Sequence, residues 1–184
     1  MTFPLPQPLF LLILALSFFY FFIAGAGTFR RQSGDDVGAG VAQLSLLVSG
    51  GVLPWMLGHR VPIALANGIV ALALLAASLL LYEWSRRTLS RVGPSIAWSG
   101  EVSDAVCDTG PYARIRHPIY TSYMLAFAAV AIALPMIATA AILLINAALY
   151  LHAALDDERS LARSVLSDDY ARYRARTGMF FPRL

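Results

Sequence analysis

The sequence predicts an all-α, polytopic membrane protein with about five transmembrane helices, the last two forming a hairpin, followed by a short cytosolic C-terminal helix. Three observations carry this expectation. Apolar residues make up 58% of the 184 and charged residues only 14%, with a mean hydropathy of +0.65. Soluble domains run at about 45–50% and about 25%. The apolar residues are gathered into runs that, at about 1.5 Å per helical residue, are long enough to cross about 30 Å of hydrocarbon. All 14 basic residues are arginines, and they collect in particular connections.

Residues 9–26 form a nearly unbroken apolar run with no basic residue before it, which reads as a retained first helix rather than a signal peptide. Arg30-Arg31 opens a polar loop through Asp36. Residues 37–57 are the second span, with Gly38, Gly40, Gly50 and Gly51 permitting close helix approach. Gly58-His59-Arg60 is a short turn, with His59 read as structural. Residues 62–82 are the third span.

From Glu83 to Arg116 the chain is polar, carrying Arg86, Arg87, Arg91, Arg114 and Arg116, and Gly93-Pro94 and Gly100 argue against one continuous helix. Residues 118–155 are apolar but too long for one crossing. Pro135 divides them into two arms of roughly 17–20 residues, a tight hairpin closed by Asp156-Asp157-Glu158. In the tail, Ser167 is placed to cap a short helix. Asp168 and Asp169 fall in its first turn, Arg172, Arg174 and Arg176 lie towards its end, and Gly178 is the stop. The whole of 1–184 reads as a single integral membrane domain: three N-terminal spans in 1–82, then loop, hairpin and C-terminal segment in 83–184.

Five spans put the two ends on opposite sides. Arg60 is alone in the connection between the second and third spans, whereas the other arginines fall in the first loop, the long third loop and the tail. The positive-inside rule then places those three in the cytoplasm and the N-terminus outside, as expected of a bacterial inner membrane protein. The net charge of +3 is loop bias, not a nucleic-acid surface. Cys107 is the single cysteine, so an intrachain disulfide and a cysteine metal cage are excluded, and no metal site is expected.

Chemistry concentrates in residues 109–123, a polar and aromatic cassette pressed against the start of the hairpin. Gly110-Pro111 marks a turn, and Pro118, lacking an N–H, fits the first turn of a helix. Arg116 and His117 then sit at the helix mouth, with Tyr120 and Tyr123 one turn apart inside it. Because the hairpin goes down and returns, Asp157 and Glu158 come back to the same face. Cations therefore oppose carboxylates across its mouth.

Gly110-Pro111-Tyr112, Arg116-His117-Pro118 and Tyr120, then Asp157-Glu158, Leu161, Tyr170, Tyr173 and Pro182, resemble the isoprenylcysteine carboxyl methyltransferases. The phospholipid N-methyltransferases share the pattern. The resemblance covers roughly 83–184; before that it extends only to hydropathy. It implies an integral membrane methyltransferase using S-adenosylmethionine, with a lipid or other hydrophobic methyl acceptor drawn from the bilayer at the cytoplasmic face.

On that resemblance the cofactor-binding residues are Tyr112, Arg116, His117, Pro118, Tyr120, Asp157, Glu158, Leu161, Tyr170 and Tyr173. Arg116, His117 and Glu158 serve alignment, and no covalent nucleophile is needed. The cofactor carboxylate is assigned to His117 or Arg116, its ribose or ammonium to an acceptor such as Glu158, and its adenine to Tyr112, Leu161, Tyr170 or Tyr173. Met124, Phe127, Leu144 and Leu151 are expected to wall an apolar route for the acceptor. Asp157 stands where the family usually has glutamate. The stretch Tyr150-Leu151-His152-Ala153 lacks the arginine that eukaryotic carboxyl methyltransferases carry there, which argues against a prenylcysteine acceptor. The alternatives are an NADPH-dependent membrane reductase of sterol-reductase type, with Arg86, Arg87 and Arg91 for a 2′-phosphate, and a non-catalytic scaffold or transporter.

Overall fold

The computed structural model describes residues 7–29, 63–92 and 106–183. The expected second span at 37–57, the Arg30-Arg31 loop, the His59 turn and the Gly93-Pro94 break lie outside the described residues. Within them the secondary structure is helical, without strands: α1 (Gln7–Phe29), α2 (Leu65–Val92), a 3₁₀ turn (Gly110–Ala113), α3 (Pro118–Ala133), α4 (Ile137–Ala162) and α5 (Ser167–Arg176). Two segments, Leu65–Arg91 and Ile137–Ala162, are long and apolar enough to cross a membrane.

Two boundaries differ from the sequence expectation, for the same reason. The third span was expected to end at Tyr82, yet α2 continues to Val92. Glu83 accepts from Arg86 at 2.8 Å and from Arg87 at 2.6 Å, so the charges that looked like loop are paired at helical spacing. Likewise Asp156-Asp157-Glu158 does not close the hairpin. Asp156 pairs with Arg159 one turn on, Glu158 is neutralised from outside the helix, and α4 runs to Ala162. The two arms are therefore unequal, 16 and 26 residues. At about 1.5 Å per residue α3 is about 24 Å long, short of a full crossing.

The break itself falls where Pro135 requires it. The residue before a proline is pushed out of helical geometry, and Leu134 has φ −134° and ψ 77°. The buried Thr139 hydroxyl then takes the Met136 N–H at 3.2 Å, serving the start of α4. At α5 the expected capping by Ser167 is corrected. Leu166 is the N-cap residue without a side-chain cap bond, and Ser167 is the first helical residue.

α3 packs most extensively on α2, and less on its hairpin partner α4. The buried Ser78 hydroxyl donates to the Ser122 carbonyl at 2.6 Å across the α2–α3 seam, where small side chains let the backbones approach. The core is aromatic. Phe21 of α1 meets Tyr82 and Tyr123 edge-on at centroid distances of 5.0 and 5.3 Å, and Phe18 meets Phe127 at 5.3 Å. Edge-to-face pairs of this kind add to the burial of large rings.

Candidate functional site

The cassette is fastened from both sides. Gly110 adopts φ +58°, a left-handed turn that suits glycine, and the turn that follows buries Pro111 and Tyr112. After it the chain pairs with the tail. Arg116 N–H donates to Gly178 O at 2.8 Å, Gly178 N–H to Arg114 O at 3.1 Å, and His117 N–H to Met179 O at 3.1 Å. This parallel bridge between Ile115 and Gly178 brings the C-terminal segment onto the mouth of α3. The Thr121 hydroxyl extends the clasp to Phe180 O at 3.1 Å.

Beneath the clasp the opposed charges meet. Arg116 Nε donates to Glu158 Oε1 at 2.8 Å, and both side chains are largely buried, 9% and 5% exposed. The other Arg116 bonds run from Nη1 to Thr177 O and Arg174 O. His117 stacks on Tyr120 with the rings 5.4 Å apart and 5° from parallel. Its buried Nε2 is 3.5 Å from Glu158 Oε1, at the far limit of hydrogen-bond reach, with no closer partner among the described residues. The Tyr120 hydroxyl donates to Asp157 Oδ2 at 3.0 Å. From the α5 side, Arg174 Nε approaches Glu158 Oε2 at 3.4 Å.

Beside this cluster opens a cleft of about 680 Å³, lined by Arg116, Ala162, Ser167, Tyr170, Arg174 and Arg183 together with residues 177–179. Of the residues singled out from the sequence, Arg116 and Tyr170 line it. Glu158 lies behind its two arginines, and Leu161 precedes the lining Ala162. His117, Tyr120 and Asp157 form the adjacent hairpin mouth, and Pro118 is buried at the first turn of α3 as expected.

Tyr112 and Tyr173 do not line the cleft. The Tyr173 hydroxyl donates to Tyr112 O at 2.8 Å, so the two hold α5 to the 3₁₀ turn. Burial pushes the hydroxyls of Tyr112, Tyr170 and Tyr173 above the usual tyrosine range, so all three remain O–H donors.

The apolar wall expected for an acceptor is rearranged. Phe127 is buried in the core, whereas Leu144 and Leu151 face outward, 69% and 43% exposed. Their place below the mouth is taken by Tyr150, stacked between Tyr120 and Tyr123 at 5.6 and 5.4 Å. His152 points away, exposed and paired with Asp156 at 3.3 Å. Tyr150, Arg174 and Arg183 were not assigned to the site from the sequence. Tyr150 falls two helical turns before Asp157-Glu158, a spacing that would have put it on their face. Arg183 carries no comparable signal.

Among the described residues, then, two helices are long and apolar enough to cross a membrane, and an Arg-His cassette faces an acidic pair. The phospholipid methyltransferase family model matches residues 66–168, more than half of the chain, and the chain belongs to that family. It is similar to the nickel-cobalt-cadmium resistance protein NccN of Alcaligenes xylosoxydans xylosoxydans, 35% identical over 99 residues, 53% of this chain and 45% of that protein. The cobalt-zinc-cadmium resistance protein CzcN of Cupriavidus metallidurans is 30% identical over 100 residues, 54% of this chain and 46% of that protein. The aligned stretch thus spans about half of this chain and a little under half of each relative. No solved structure matches.

Proposed function

We propose that this chain transfers a methyl group from S-adenosylmethionine to a lipophilic acceptor at the cytoplasmic face of a membrane. The supporting observation is the convergence of Arg116 and His117, Asp157 and Glu158, and the tail on one cleft beside the mouth of the hairpin. The cleft fits such a cofactor in size and in chemistry, offering an unpartnered buried phenol, several guanidinium groups and a nearby carboxylate.

The cofactor supplies an activated methyl group on a sulfonium, so the protein's share of the work is alignment and exclusion of water. Arg116 fixes the Glu158 carboxylate, Tyr120 fixes both the His117 ring and Asp157, and the tail covers the cluster from the water side. Tyr120, Tyr150 and Tyr123 continue the site as a stack of rings into the apolar core. A lipophilic acceptor suits such walls. The two relatives' names associate those proteins with metal resistance. In this chain the described residues contain no group of three metal-ligating side chains.

The single-domain organisation, the outside N-terminus and the cytoplasmic placement of the site belong to the same proposal. Lipid extracts incubated with the purified full chain and methyl-labelled S-adenosylmethionine are expected to yield a labelled lipid by mass spectrometry. Label appearing only in water-soluble products would refute a lipophilic acceptor.

A further inference from the structure

We propose that the cleft contains a dedicated oxyanion site, made by the Tyr170 hydroxyl with the guanidinium groups of Arg174 and Arg183, which receives the carboxylate on the cofactor's amino-acid arm. The proposal rests on the methyltransferase reading and refines it. The sequence pointed to Arg116 or His117 for that carboxylate, but His117 is not among the residues lining the cleft. Arg116 spends Nε on Glu158 and Nη1 on the carbonyls of Thr177 and Arg174. Three of its five N–H groups thus hold the site together.

Tyr170 provides the first observation. The residue is only 3% exposed, it lines the cleft, and its hydroxyl has no hydrogen-bond partner among the described residues. A buried polar group left unpaired is costly and rare, so a ligand atom is its natural complement. A phenol that keeps its proton asks for an acceptor.

The charge pattern is the second and independent observation. Among the described residues, Arg116, Arg174 and Arg183 line the cleft and no carboxylate does. Glu158 lies behind and is already engaged with Arg116 and Arg174. Arg183 is held at the rim by a neutral group, donating from Nη1 to Ala175 O at 2.6 Å, and has no acidic partner among the described residues. A guanidinium has five N–H donors and suits the two oxygens of a carboxylate or a phosphate. A lipid headgroup phosphate presents the same chemistry, so the test separates the two sources.

Calorimetric titration of the detergent-solubilised full chain uses three probes: S-adenosylhomocysteine, its decarboxylated analogue S-adenosyl-3-thiopropylamine, and dihexanoyl phosphatidic acid. The wild-type chain is expected to bind the decarboxylated analogue about tenfold more weakly than the parent. Tyr170→Phe, which keeps the ring packed against Tyr173, is expected to weaken S-adenosylhomocysteine about tenfold and leave the analogue unchanged. Arg183→Gln should act in the same direction and less strongly, being a rim residue.

Equal losses for both nucleosides, or no loss for either, would overturn the proposal. Weakened phosphatidic acid with intact S-adenosylhomocysteine would overturn the assignment to the cofactor and give the oxyanion site to a lipid. If wild type bound no S-adenosylhomocysteine, the methyltransferase reading itself would fail. The oxyanion site would then stand or fall on whether Tyr170→Phe weakens phosphatidic acid.

Discussion

Arg116 and Glu158, forty-two residues apart in the chain, meet at 2.8 Å inside the protein with less than a tenth of either side chain exposed. One belongs to the cassette before α3 and the other to the last turns of α4, so the pair closes the hairpin at its open end. A buried pair is expensive to assemble, but removing one member is worse, because a charge then stays buried without its partner. Glu158→Ala is accordingly expected to destabilise the chain by about 3–5 kcal/mol in denaturant titrations in detergent. The double replacement Arg116→Met with Glu158→Leu should recover part of that loss while abolishing cofactor binding. Equal stability of Glu158→Ala and wild type would show that water reaches the pair.

The tail is docked as tightly as the hairpin is closed. A Cβ added at Gly178 would overlap the Phe181 carbonyl oxygen and crowd Arg183 N at 3.1 Å, both backbone atoms that cannot swing aside. Gly178→Ala must therefore lift the segment after α5 and break its bonds to Arg114 and Arg116. Limited proteolysis is expected to clip this variant within 177–183 while α2, α3 and α4 stay resistant. S-adenosylhomocysteine affinity should fall with it. A variant as resistant as wild type would mean that the backbone relaxes around the methyl group.

A comparable test applies to the front of the cassette. Gly110 sits at φ +58°, and an added Cβ would come within 2.5 Å of Thr88 Oγ1 on α2. The left-handed conformation alone costs a non-glycine residue about 1–2 kcal/mol. Gly110→Ala should lose at least that much stability in the same titrations, with the turn displaced from α2. Gly110→Asn, a residue that tolerates left-handed backbone better, should relieve the backbone strain but not the collision. Full stability in both variants would show that Thr88 yields freely.

What the sequence conveyed well was local and covalent in origin. Pro118 begins α3 and Pro135 divides the hairpin, because a missing N–H and a fixed φ act whatever surrounds them. The meeting of the cassette with the acidic pair followed from hairpin geometry alone. The misjudged boundaries were places where charge resembled loop. Glu83 with Arg86 and Arg87, and Asp156 with Arg159, pair along the helix and keep it going. The cleft was the least legible part. Arg183 joins it only because the tail folds back through Gly178, a consequence of long-range backbone pairing that no spacing rule encodes.

Orientation in the membrane is the remaining prediction, and it rests on arginine counting. The charged end of α2, with Glu83, Arg86 and Arg87, lies beside Tyr20 of α1, whose hydroxyl donates to Glu83 at 2.6 Å. That puts a band of polar side chains at one level in the C-terminal halves of both helices. The cleft is likewise lined by arginines of the cassette, α5 and tail. Positive segments are retained in the cytoplasm, so this whole face should be cytoplasmic. Val165, in the connection between α4 and α5 and 87% exposed, is a suitable reporter. In a Cys107→Ser background, Val165→Cys in intact cells should resist a membrane-impermeant maleimide and react fully once the membrane is opened. Labelling of Val165→Cys from outside intact cells would invert the topology and, with it, the side from which a water-soluble cofactor reaches the cleft.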